Sequence, residues 1–289
     1  MPPVEPAPAG VIHDLGYQRY TGPRLGRRYA ALSLYTHSLR TAFGLGRSAK
    51  AKVFPWIVVG FTFVVAVVAV VVRSQTNVVF INYLQYPDNV SVPLLLFLAV
   101  VTPELVSRDL QAHVLPLYFS RPLGRGDYAL AKLAAVVSAA WLILAGPELL
   151  MLLGGIFSQQ NGWSGAWHEF TDFLGGITYA AIMALVFGSL ALLIASLASR
   201  RAIAAAAIVG AFLVTAPVVG VLSVFGGDLR MLAPILNPVA LVVGVKVELF
   251  HTKQGIDPGI YGPMYVAVAV ALIIICGTLL AARYRRAGQ

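Results

Sequence analysis

The segment 55–72, PWIVVGFTFVVAVVAVVV, runs for 18 residues without a charged side chain. Crossing the roughly 30 Å hydrocarbon core of a bilayer takes about 20 such residues as a helix. A peptide unit inside that core has no water to bond, so the segment must satisfy its own backbone, which only a helix does within one stretch. Further apolar runs follow at 90–106, 127–156, 173–198, 202–224 and 263–282. The expected fold is therefore an all-α polytopic membrane protein with six transmembrane helices. Composition agrees: 58% of residues are hydrophobic and 11% charged, against about a quarter charged in soluble domains. The third run is longer than a bilayer requires, and its first turns are expected to project beyond the headgroups.

The chain carries a net charge of +9. Basic loops orient inserted helices toward the cytoplasm, so this excess needs no nucleic-acid partner. With the N-terminus inside, eight Lys and Arg fall before the first span and four in the interruption between spans two and three. Arg200 and Arg201 fall between spans four and five, and Arg283, Arg285 and Arg286 in the tail: 17 of 21 in all. Only Arg73, Arg230, Lys246 and Lys253 fall outside. The expectation is a cell (inner or plasma) membrane protein with both termini cytoplasmic. The apolar stretch 231–250 tempts a seventh span, but it holds Pro234, Pro238, Lys246 and Glu248. It fits a re-entrant or interfacial helix within a structured external segment, 226–262.

Residues 1–28, rich in proline, glycine and charge, read as an extended cytoplasmic tail with no early apolar core for a signal peptide. At 29–46, Leu32, Tyr35, Leu39 and Phe43 recur at helical spacing opposite Ser33, His37, Arg40 and Arg47, the pattern of a helix in the cytoplasmic interface facing lipid headgroups. Trp163, Trp167 and Phe170 read as an aromatic belt outside. Gly176, Ala180, Ala184 and Gly188 repeat every four residues, as do Ala206 with Gly210 and Ala207 with Ala211. Small residues at this spacing let backbones approach, within one chain or between two.

No phosphate-binding loop, dinucleotide fingerprint or HExxH occurs. The five histidines are scattered without metal-ligand spacing, and the single cysteine, Cys276, has no intrachain partner for a disulfide. Nothing points to an enzyme or to a metal held by this chain. Two carboxylates stand at membrane depth, where charge is costly and faces protein or a watery cavity. Glu104 follows Pro103 near the end of the second span, one turn from Arg108, with which a local pair is expected. Glu148 follows Pro147 in the third span; it reads either as a substrate-path or proton-linked group or as a carboxylate at the interface or paired with a neighbour. Pro103, Pro147 and Pro217 each mark a helix kink.

The stretch 107–132, SRDLQAHVLPLYFSRPLGRGDYALAK, is longer than two adjacent helices need for a connection. It resembles the element between the second and third spans of ABC-2 type exporter permeases, which reads E-R-E-x-G-T-L-E-x-L-L-x-x-P and then a basic residue and G-K. Arg108-Asp109 looks like the R-E pair, LPLYFSRP at 115–122 like the leucine-rich run ending in proline, Arg125 like the basic residue and Lys132 like the lysine. Gln111-Ala112-His113 departs from x-G-T, and Ala131 replaces the glycine.

The resemblance implies a coupling element at 107–126 that docks on a separate ATPase subunit, with Arg108, Asp109, His113, Leu117, Arg121 and Arg125 as contact residues. Arg200 and Arg201 would supply a second, shorter contact. It further implies two ATPase copies, which bind the ATP and Mg absent from this chain, and a second permease, identical or different. Amphipathic or lipid-like substrate or drug would then move outward. A secondary transporter or channel working through Glu148 is the alternative.

Overall fold

The computed structural model describes residues 22, 25–111, 123–158, 162–198, 200–252 and 255–286. Of the described residues 86% are helical and none lies in a strand. The helices are α1 (Arg27–Ala42), α2 (Ala49–Thr76), α3 (Tyr86–Asn89), α4 (Ser91–Gln111), α5 (Arg125–Ser158), α6 (Gly162–Leu197), α7 (Arg201–Leu213), α8 (Thr215–Val224), α9 (Gly227–Leu232), α10 (Pro238–Phe250) and α11 (Gly262–Arg286). Short 3₁₀ turns at Ala233–Leu236 and Gly259–Tyr261 precede α10 and α11.

Five segments are long and apolar enough to cross a membrane: α2, α5, α6, α7 with α8, and 259–284 around α11. The count becomes six if the bent pair of helices at 227–250 is taken as one crossing. The second expected span is shorter than its neighbours: the apolar part of α4 is Ser91–Val106, and polar residues extend the helix to Gln111. The chain is a membrane-embedded helical protein.

The interior is built around α5 and α6, whose small residues mesh. Gly176, Ala180, Ala184 and Gly188 all lie on the buried side of α6. A methyl group on Gly188 would come 3.1 Å from Val137 Cγ2 of α5, and one on Gly176 would come 2.6 Å from Tyr83 Cβ. This stripe therefore serves packing within the chain, where dispersion at short range replaces the hydrophobic drive that lipid removes. The stripe on α7 does not: its buried face is Ala204, Ile208 and Phe212, while Ala206 and Ala207 are exposed and nothing lies near Gly210.

Parallel contacts fix the vertical register of α2 and α5. Phe63 meets Gly146, Val70 overlaps the space a side chain at Gly154 would need, and Arg73 lies beside Gly155. In that register the start of α2 is level with about Lys132, so α5 extends roughly 10 Å beyond it, at about 1.5 Å per residue. Helix α1 runs along this extension. Arg27 pairs with Asp127, and the Tyr35 hydroxyl bonds Ser138 Oγ at 3.0 Å. The buried stripe of α1 is Leu34, Ser38 and Ala42, with Tyr35 and Leu39 half-buried. Leu32, assigned to the apolar face from its spacing, is exposed, because α1 packs on a protein neighbour rather than only on lipid.

The α7–α8 break lies at Val214, three residues before Pro217, whose ring nitrogen cannot donate to the carbonyl four residues back. Asn237 bridges to it, donating to Phe212 O at 3.1 Å and Thr215 Oγ1 at 2.9 Å. The same side chain caps α10 by accepting from the Val239 and Ala240 amides. It thus holds the apex of the bent pair, where the chain turns by 113° between the arms 227–236 and 238–250. The bent pair falls in the stretch expected to hold a re-entrant or interfacial helix, and by length and composition it is either one broken crossing or a re-entrant loop.

Candidate functional site

Polar side chains concentrate at the two ends of the helix bundle, with one carboxyl between them. At the end where α2 and α5 begin, Glu104 of α4 accepts from Arg47 in the α1–α2 turn and from Arg201 at the start of α7, the latter at 3.2 Å. Its partners are 57 and 97 residues away in sequence, and the side chain of Arg108, expected as its local partner, lies outside the described residues. Pro103 and the two-arginine link thus meet at one carboxylate. Lys132 is buried and donates to Leu105 O at 2.9 Å, with its ammonium 5.5 Å from the Tyr128 ring centre. This bond clasps the end of α4 to the first turns of α5. Asp127 completes the frame by accepting from Arg27 and from the Gly124 amide.

The segment that resembled a coupling element departs from this frame. Ser107 to Gln111 continue α4 as helix, so Arg108 and Asp109 stand on its extension beyond the apolar part Ser91–Val106. His113, Leu117 and Arg121 lie outside the described residues. Arg125 is the first residue of α5 and is half-buried. Arg200 and Arg201 are exposed beside the start of α7, Arg201 while bonded to Glu104. The described residues expected to contact an ATPase, Arg125, Arg200 and Arg201, therefore gather at one end of the bundle.

The opposite end carries two ion pairs. Arg73, near the end of α2, binds Glu169 of α6 through both guanidinium nitrogens, one at 3.0 Å, and the Tyr83 hydroxyl donates to the same carboxylate at 2.8 Å. Burial, then that hydrogen bond, pushes the Tyr83 hydroxyl well above its ordinary range. Asp88 of α3 accepts from Lys246 of α10 and from the Tyr179 hydroxyl of α6. Lys246 is 2% exposed and lies 5.4 Å from the Tyr179 ring centre. An open cleft of about 370 Å³ reaches this pair past Phe80, Gln85 and Asn89. The bent 227–250 element is thereby tied by a charge to the rest of the bundle.

Glu148 lies between the two ends and is fully buried. Neither carboxylate oxygen has a hydrogen-bond partner among the described residues, although Gly176 of α6 brings the backbone close to it. The nearby Tyr86 hydroxyl is spent on Thr62 O at 2.8 Å. Pro147 removes one backbone donor beside it. The sequence distinguished Glu148 by its type and depth; Asp88, Glu169 and Lys246 form pairs that sequence spacing did not reveal.

No family model matches the chain, and no curated protein matches it.

Proposed function

We propose that this chain is the membrane-spanning permease subunit of an ATP-driven exporter of the ABC-2 type. In this reading the chain makes six crossings, with α4 as the second, and both termini lie in the cytoplasm. Segment 107–126 docks on a separate ATPase, present in two copies, which binds ATP and Mg. This chain is not itself an enzyme. It pairs with a second permease, and the exposed small-residue face of α7 is available for that contact. Amphipathic or lipid-like molecules, drugs included, move outward across the cell membrane.

The observation that carries the reading is the Glu104 cluster. It joins the α1–α2 turn, the end of α4 and the start of α7 at the point from which both implied ATPase contacts leave the bundle. A push on 107–126 or on Arg200 and Arg201 would reach three helices as one body, and packed interfaces transmit such motion as rigid shifts. Lys132 supports this by clasping the flanks of the segment together. The test is co-purification with the ATPase encoded alongside this chain, followed by Arg108→Glu combined with Leu117→Asp. The double variant is expected to lose ATPase binding and stimulation; retention of both overturns the assignment.

The orphan carboxyl of Glu148 favours one second reading, a secondary transporter or channel driven by an ion gradient. In that case purified chain alone would move cargo in response to a gradient, and Glu148→Gln would abolish the movement.

A further inference from the structure

We infer that the cleft at the junction of α1 and α2 is a binding site for the phosphate of an anionic phospholipid. The inference rests on the membrane-embedded fold and not on the export reading. The cleft measures about 450 Å³ and is lined by Thr36, His37, Arg40, Thr41, Leu45 and Arg47, with no carboxylate in its wall. The Arg40 guanidinium and the His37 imidazole make no hydrogen bond or ion pair among the described residues. Arg47 spends one nitrogen on Glu104, and that carboxylate is already matched by Arg201. The group therefore holds two arginines and an imidazole with one negative charge shared between Arg47 and Arg201. A guanidinium presents paired N–H groups that match two oxygens of a phosphate.

Location selects the source of that phosphate. The cleft lies beside the turn 43–48, and Pro55, where the uncharged run of α2 begins, follows two helical turns later. Arg40 and Arg47 thus stand at the level where hydrocarbon gives way to headgroups, not in open solvent. Leu45 is exposed at the rim, and α2 continues into exposed Trp56 and Ile57, an apolar surface suited to acyl chains. A tight backbone holds the basic residues in place: Gly44 has φ +68° and sits against Ala51 O and Lys52 Cα, where a side chain would not fit. The Thr36 and Thr41 hydroxyls donate to carbonyls within α1, so selectivity falls to the charged groups.

Full-length protein in neutral detergent would be titrated with dioleoyl phosphatidylglycerol, with dioleoyl phosphatidylcholine, and with inorganic phosphate, reading bound lipid by native mass spectrometry. Phosphatidylglycerol is expected to bind at least tenfold more tightly than phosphatidylcholine. Arg40→Gln should weaken it at least tenfold, or about 1.4 kcal/mol or more, since it removes a charge-assisted hydrogen bond. Arg40→Lys should fall between, weakening it about threefold, because it keeps the charge and loses the paired N–H groups. Arg28→Gln, at the far end of α1, should change nothing, and unaltered melting of each variant shows that the fold is kept. Equal binding of the two lipids, or equal losses in Arg40→Gln and Arg28→Gln, overturns the site. Displacement of the lipid by millimolar inorganic phosphate overturns its assignment to a membrane phospholipid.

Discussion

The Asp88–Lys246 pair gives an asymmetric prediction. Lys246 is 2% exposed, whereas the Asp88 side chain is 26% exposed at the foot of an open cleft. Asp88→Ala leaves an ammonium in the interior without its counter-charge, and stripping one partner from a buried pair costs about 3–5 kcal/mol. Lys246→Met removes the buried charge itself and fills its volume. The remaining carboxylate keeps the Tyr179 hydroxyl and gains water through the cleft, so the cost falls to about 1.5–3 kcal/mol, the value of a lost hydrogen bond to a charged group. The double variant has no unpaired ammonium and should be more stable than Asp88→Ala alone by about 1–3 kcal/mol, a non-additivity typical of residues in contact. Reversible unfolding in mixed micelles, followed by tryptophan fluorescence, measures all four proteins. Equal costs for the two single variants, or strict additivity in the double, would refute the placement of Lys246 as a buried charge dependent on Asp88.

Three further outcomes follow from the packing. Asn237→Ala should cost about 1–2 kcal/mol, because it removes the α10 cap and both bonds to the α7–α8 break; Asn237→Asp should recover the capping share in the same micelle assay. Gly244→Ala should destabilise by about 1–3 kcal/mol because its new methyl collides with the Tyr265 ring, while Gly210→Ala, with nothing within 4 Å, should be neutral or stabilising by up to about 1 kcal/mol. Glu148→Gln preserves shape and breaks no hydrogen bond, so its unfolding free energy should stay within about 0.5 kcal/mol of wild type or rise. A loss above about 2 kcal/mol would show that the carboxylate has a charged partner in the folded protein.

Local physics made much of the helical frame legible. Five of the expected crossings are long apolar helices because their composition admits no other state in lipid. Pro234, Pro238, Lys246 and Glu248 marked 231–250 as other than a straight span, and the chain bends by 113° between 227–236 and 238–250. The four-residue stripe on α6 marked a close helix contact, which falls on α5 and the chain around Tyr83. What periodicity did not carry was pairing over distance. Glu104 bonds to Arg47 and Arg201, 57 and 97 residues away, because the fold brings the α1–α2 turn and the start of α7 to the end of α4. Lys246 and Asp88 are 158 residues apart, so nothing local announces their contact. The face of α1 was misplaced for a related reason: spacing alone cannot distinguish a helix resting on lipid from one packed along α5. Of the proposed ATPase contacts, Arg125, Arg200 and Arg201 gather near one end of the bundle, and the polar frame that holds that end was invisible to motif reading.

The account turns on whether segment 107–126 faces the cytoplasm and meets an ATPase there. Leu117→Cys in a Cys276→Ala background provides a single thiol at the centre of that segment. Membrane vesicles of both orientations would be treated with a membrane-impermeant maleimide, with and without the companion ATPase. The account predicts labelling in inside-out vesicles alone, and protection of the thiol when the ATPase is bound. Labelling from the external side, or accessibility unchanged by a bound ATPase, would contradict it.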